Sequence, residues 1–130
     1  MTWNLSPDRP IYLQLQETIK RNIVSGKYAP GEKLAAVRDL AIEASVNPNT
    51  MQRALAELER DGLVHAQRTS GRFVTNDMEV IKKMKNDLAM DLVTSFFTKM
   101  KDIGYNANEA AEIINTTKKE VESTNGNTGM

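Results

Sequence analysis

The sequence predicts a mainly α-helical chain with one small β-hairpin, and three observations point there. Apolar residues recur at helical spacing in segments 11–25, 36–44, 51–60 and 80–103, and again beyond 107. Two runs, Leu63-Val64-His65-Ala66 and Arg72-Phe73-Val74-Thr75, are short and apolar or alternating, as strands are. Turn formers fall between these segments, at Gly26, Pro30-Gly31, Gly62 and Gly104.

A chain of 130 residues can hold one domain with a real core plus a helical appendage, but not a large catalytic fold. Lysine and arginine total 17, as do aspartate and glutamate, so bulk charge does not advertise a nucleic-acid partner. Residues 1–75 carry ten basic and eight acidic groups, and residues 76–130 carry seven and nine. That asymmetry decides nothing, and a nucleic-acid reading must rest on where particular arginines sit. The absence of cysteine removes disulfides, thiolate zinc sites and cysteine nucleophiles together, and suits a reducing cytosol. The first residues lack the basic flank and apolar run of a signal peptide, and no stretch approaches the ~20 apolar residues of a spanning helix. A cytoplasmic chain with no membrane partner is expected.

Taken in order, the polar lead-in carries Trp3 and Leu5, expected to dock on the domain. After Pro10, the spacing of Ile11, Leu15, Ile19 and Ile23, with Tyr12 and Val24 beside them, predicts a first helix to about Ser25. Gly26 stops it, and Pro30-Gly31 turns the chain so that Leu34 returns to the core. A second helix is expected over Ala36 to Ala44, with Val37, Leu40 and Ala41 inward. Ala36 offers no side-chain cap.

The short turn Ala44-Ser45-Val46 leads to a better-marked helix start. An Asn47 side chain accepts from free first-turn amides, and Pro48 stands where a missing N–H costs nothing. Met51, Ala54, Leu55 and Leu58 then form one apolar stripe, and Gly62 follows Arg60-Asp61 as a left-handed stop. A bland amphipathic helix would look alike from the middle onward. Its head is different: Asn49, Thr50, Gln52 and Arg53 carry side chains that reach base edges and phosphates. Two helices with so short a link, the second polar at its start, fit a helix-turn-helix. The hairpin that follows is expected to carry Arg68, Gly71 and Arg72 at a basic tip able to lie along a backbone or enter a minor groove; incidental solvated arginines are the plainer alternative.

From Asn76-Asp77 a long helix is expected to about Ile103. Ile81, Met84, Leu88, Leu92, Phe96, Met100 and Ile103 form its stripe, widened by Val80, Ala89, Val93 and Phe97. Gly104-Tyr105 breaks it. Asn106, with Glu109 three positions on, has the pattern of a capping box for a last helix carrying Ala110, Ile113, Ile114 and Val121. Two helices make no independent core, so their apolar face is expected to pack on the same face of a second chain, which also duplicates the recognition helix. Folding back on the first domain is the alternative. This gives an N-terminal winged helix-turn-helix over 1–75, a two-helix dimerisation or effector region over 76–122, and a disordered polar tail over 123–130.

In this order the motifs resemble the GntR family of bacterial transcription regulators, and within it the YtrA-like subfamily with a short helical C-terminal region. They are Pro10-Ile11-Tyr12, Pro30-Gly31-Glu32-Lys33-Leu34, Val37-Arg38-Asp39-Leu40-Ala41, Val46-Asn47-Pro48-Asn49-Thr50, Arg53-Ala54, Leu58-Glu59, Gly62-Leu63-Val64 and Gly71-Arg72-Phe73-Val74. The resemblance implies a homodimer on an operator, with Arg38 on DNA, Asn47, Asn49, Thr50 and Gln52 at the head of the recognition helix, and Gly71 shaping the wing. Arg53 and Arg68 join them on charge and placement. Two departures stand out: Ala35-Ala36 replaces the family's Pro-Ser, and Thr69 replaces the first of two wing glycines. By the same resemblance, short-tailed members repress operons for membrane transporters.

The function expected is therefore a repressor of a palindromic operator, relieved by an effector that changes the placement of the two heads. A winged-helix module that docks another protein is the alternative, separable by the salt dependence of DNA binding. No cofactor and no metal is implied. An enzyme is disfavoured, because the sole histidine, His65, has no evident nucleophile or paired carboxylate at useful spacing.

Overall fold

The computed structural model describes residues 3–125. The elements run α1 (Ile11–Val24), α2 (Val37–Ala44), α3 (Pro48–Arg60), β1 (Val64–Gln67), β2 (Gly71–Val74), α4 (Met78–Asp102) and α5 (Ala107–Asn125). They fall into two compact units, 1–86 and 87–130. The first turns of α4, with buried Ile81 and Met84, group with the N-terminal unit.

Helix ends follow local chemistry. Asn47 caps α3, and Asp77 caps α4 by accepting from the Glu79 amide at 3.0 Å. At α5 the capping box closes in both directions: Glu109 N–H donates to Asn106 Oδ1 at 2.8 Å, and Asn106 N–H to Glu109 Oε1 at 2.9 Å. Ala36 precedes α2 without a side-chain bond, as expected. Gly62 ends α3 in a left-handed conformation, with Leu63 N–H reaching back to Leu58 O at 3.0 Å. Ser45 does the same for α2 at φ 58°, with Val46 N–H on Ala41 O at 3.0 Å. A non-glycine residue thus takes the left-handed position that makes the helix-helix turn.

The core of the N-terminal unit is built round α3, which packs against α1, α2 and β1. Met51, Ala54, Leu55 and Leu58 of α3 are fully buried, and meet a core formed with Leu15 and Ile19, Leu40 and Ala41, and Val64 and Val74. Truncating such a residue to alanine typically costs ~2–5 kcal/mol. Trp3 and Leu5 are half-buried, and both border a depression with Ile11, Ala44 and Val46. The lead-in is held by buried Gln14, whose side chain accepts from Ser6 N–H at 2.6 Å and donates to Ser6 O at 2.7 Å and Arg9 O at 2.9 Å.

The two strands are antiparallel, pairing Val64 with Val74 and Gln67 with Gly71. They sit one residue off the expected runs because Gly71, at φ 99°, closes a three-residue loop of Arg68-Thr69-Ser70. Thr69 has no left-handed φ, so its replacement of glycine leaves the loop unstrained. A third, unanticipated stretch borders β2: Gly31 N–H donates to Val74 O, Val74 N–H to Glu32 O and Leu34 N–H to Arg72 O, at 3.1, 2.8 and 2.9 Å.

In the C-terminal unit Ala110 is fully buried. Helix α5 continues through Ser123 and Thr124 to Asn125, which corrects the start of the expected tail at 123; positions 126–130 lie outside the described residues.

Candidate nucleic-acid interface

The head of α3 is set by its cap. Asn47 Oδ1 accepts from Asn49 N–H at 2.7 Å, and Pro48 supplies a preset φ at the first helical position. From there the 100° step of a helix separates the faces. Met51, Ala54, Leu55 and Leu58 point into the core, whereas Asn49, Gln52, Arg53, Ala56 and Arg60 lie opposite and are exposed. Thr50, half-buried, flanks them.

The expected DNA contacts divide by environment. Arg38 is the second residue of α2, exposed, and without an ion pair or hydrogen bond among the described residues. Arg53 is exposed but ordered: its guanidinium carbon lies 3.6 Å from the centroid of the Tyr12 ring. Such stacking orients the cation while leaving its N–H edges free. Arg68 is exposed in the hairpin loop. Gly71 and Arg72, expected at the tip, lie instead in β2. A side chain at Gly71 would meet Lys33 Cε at 3.2 Å and strain a left-handed φ. Arg72 is half-buried, with Nε donating to Glu59 Oε1.

Two contributors were not anticipated as part of the site, Tyr12 and Glu59. Tyr12 reads in sequence as one more residue at the edge of an apolar stripe. Glu59 carried a signal, because a carboxylate in the last turn of a helix opposes the dipole unless a cation joins it. His65 stacks on Phe73, its cross-strand partner, with centroids 6.1 Å apart. Among the described residues no cluster of histidine and carboxylates could hold a metal, and no helix is long and apolar enough to cross a membrane.

The expected dimerisation stripe is divided. Ile81 and Met84 fall in the N-terminal unit and are buried within the single chain. Leu88, Phe96 and Met100 are half-buried, and Leu92 is 72% exposed. Val93, Ile103, Ile113, Ile114 and Val121 are exposed as well. Phe96, Ile113, Ile114 and Val121 line a mainly apolar groove of about 480 Å³.

A short turn between two helices, a polar head on the second and an arginine-tipped hairpin after it define a winged helix-turn-helix, a DNA-binding head. Residues 11–74 match the family model for bacterial regulatory proteins of the gntR family, and the chain belongs to that family. It is 38% identical over 108 residues to the HTH-type transcriptional regulator YhcF of Bacillus subtilis, spanning 83% of this chain and 89% of that one. It is 34% identical over 91 residues to the HTH-type transcriptional repressor YtrA of the same organism, across 63% of this chain and 70% of YtrA. Among solved structures, a GntR family transcriptional regulator from Listeria monocytogenes superposes with a TM-score of 0.78 at 38% identity, covering 88% and 98% of the two chains. The DNA-binding domain of AraR, solved with its operator ORX1, superposes at 0.50 with 29% identity over 58% of this chain and 92% of that one. These relatives are regulators of transcription, not enzymes.

Proposed function

We propose that the protein is a repressor that binds a palindromic operator as a homodimer. The observation that carries the reading is the capped head of α3, which directs Asn49, Gln52 and Arg53 away from the buried stripe. Side chains of these types, held on a preset first turn, reach base edges of a major groove from Asn49 and Gln52 and phosphate from Arg53. Arg38 and Arg68 add phosphate or minor-groove contacts from α2 and the hairpin loop. The likeness to YtrA, a repressor, supports repression, and the subfamily resemblance supports control of a transporter operon.

The exposed apolar residues of the C-terminal unit support the dimer, since single chains rarely leave so many together in water. Two copies place two heads at one spacing, which a palindromic site mirrors. An effector bound in the helical region would relieve repression by changing that spacing.

Selection of bound sequences from randomised duplexes tests the whole reading. An inverted repeat with one fixed spacing is expected, and Arg38→Ala or Thr50→Ala weakens binding to it at fixed salt without unfolding the chain. Recovery of no preferred sequence would overturn it in favour of a protein-docking module.

A further inference from the structure

Arg72 was expected to touch DNA, but its surroundings suit another task. Side chains alternate along β2, so Arg72 shares a face with fully buried Val74. There its guanidinium meets Glu59 of α3, and the two side chains are only 20% and 30% exposed. The Arg60–Glu57 pair, by contrast, joins neighbours on one helix and leaves the arginine 72% exposed. Among the ion pairs of the described residues, Arg72–Glu59 alone ties the hairpin to the recognition helix. Glu59 stands in the last turn of α3, where the helix dipole disfavours a carboxylate and a cation relieves it. A phosphate approaching Arg72 would meet that carboxylate as well. The backbone of Arg72 is also tied on its other side, its carbonyl accepting from Leu34 N–H at 2.9 Å.

Resting on the DNA-binding reading above, we infer that Glu59 and Arg72 are positioning residues that fix the wing against the recognition helix, and that Arg72 acts through Arg68 without touching phosphate. The loop from Gln67 to Gly71 holds three residues, so anchoring β2 at Arg72 sets where Arg68 stands. The pair turns one rigid helix and one small hairpin into a single reading surface.

The test uses the full chain and its selected operator, with Glu59→Gln, Arg72→Gln and Arg68→Gln made singly and in combination. Glu59→Gln and Arg72→Gln each weaken binding by the same factor, about threefold to tenfold, and together do no more than either alone. In the Arg68→Gln background neither has a further effect. All three lower the salt slope alike, by about 0.9 for each head. Hairpin amides exchange faster in Glu59→Gln, while circular dichroism confirms that the helices are retained.

If Arg72 held phosphate, Glu59→Gln would release its charge and tighten binding while Arg72→Gln weakened it; that divergence overturns the proposal. So does unchanged binding in both variants. A wild-type chain that selects no sequence overturns the DNA reading itself. Divergent variants on an operator the wild type binds overturn only the role given to the pair.

Discussion

Asn47 sits where stability and recognition pull apart, and two substitutions separate them. Its Oδ1 accepts from the Asn49 amide at 2.7 Å on an exposed helix start. Asn47→Ala removes that acceptor, and water satisfies part of the loss, so the cost is about 1 kcal/mol. Within a total stability of roughly 5–15 kcal/mol, that lowers the melting temperature by about 5 °C. Asn47→Asp keeps the acceptor and adds negative charge at the positive end of the helix, a gain of about 0.5 kcal/mol. Stability to urea, followed by circular dichroism, therefore ranks Asp at or above Asn, and both above Ala. Operator affinity at fixed salt ranks differently, with Asn above Ala and Ala above Asp, because phosphates repel the new carboxylate. An Asp variant as unstable as Ala would refute the cap. An Asp variant that binds DNA as tightly as wild type would refute the placement of this helix head against DNA.

Three further outcomes are expected. Ser45→Gly relieves a left-handed residue at φ 58° and raises stability by about 0.5 kcal/mol, since ~1–2 kcal/mol of backbone strain is partly offset by greater freedom in the unfolded chain. Its urea midpoint rises and that of Ser45→Val falls. Tyr12→Leu keeps an apolar residue under α3 but removes the ring stacked on Arg53; operator affinity drops about threefold, as loss of a ~0.5–1 kcal/mol contact requires, and Tyr12→Phe restores it. Burial, with Glu43 and Glu32 adding to it, pushes the Tyr28 phenol up to about 12. The folded chain then holds this proton more tightly than the unfolded one, whose tyrosine titrates near ~10. Stability from this group is complete below pH ~10 and is lost as the pH rises toward 12, so Tyr28→Phe flattens the alkaline fall in urea midpoint.

The parts of the fold that were readable from sequence are those decided within a turn or two of chain. Caps at Asn47 and Asn106, the stop at Gly62 and the stripe of α3 each depend on residues a few positions apart. Both hairpin strands run one residue nearer the loop than their apolar pattern predicts, with the register unchanged, because the loop closes at Gly71, whose left-handed conformation the strand pattern does not signal. The stretch beside β2, the burial of Ile81 and Met84 and the partners of Arg53 and Arg72 depend on segments distant in sequence. Residue types named the candidate contacts; only tertiary packing divided free arginines from engaged ones.

That division bears on how a chain of balanced charge would hold DNA. From α2 through β2 the cations are Arg38, Arg53, Arg60, Arg68 and Arg72, with no lysine between Lys33 and Lys82. Glu59 takes Arg72, and Arg60, beside Glu57, stands as the last residue of α3, far from its polar head. Arg38, Arg53 and Arg68 remain for phosphate, so a dimer neutralises about six, and log affinity should fall against log salt with a slope near −5. Between 50 and 200 mM salt that is a loss of about 10³-fold. Non-specific binding, which rests on the same contacts, is weak at physiological salt, and discrimination falls to the base edges met by Asn49, Thr50 and Gln52. Anisotropy titrations over that salt range measure the slope. A value steeper than about −8 would mean that lysines outside the head contribute as much as its arginines, and would refute this count.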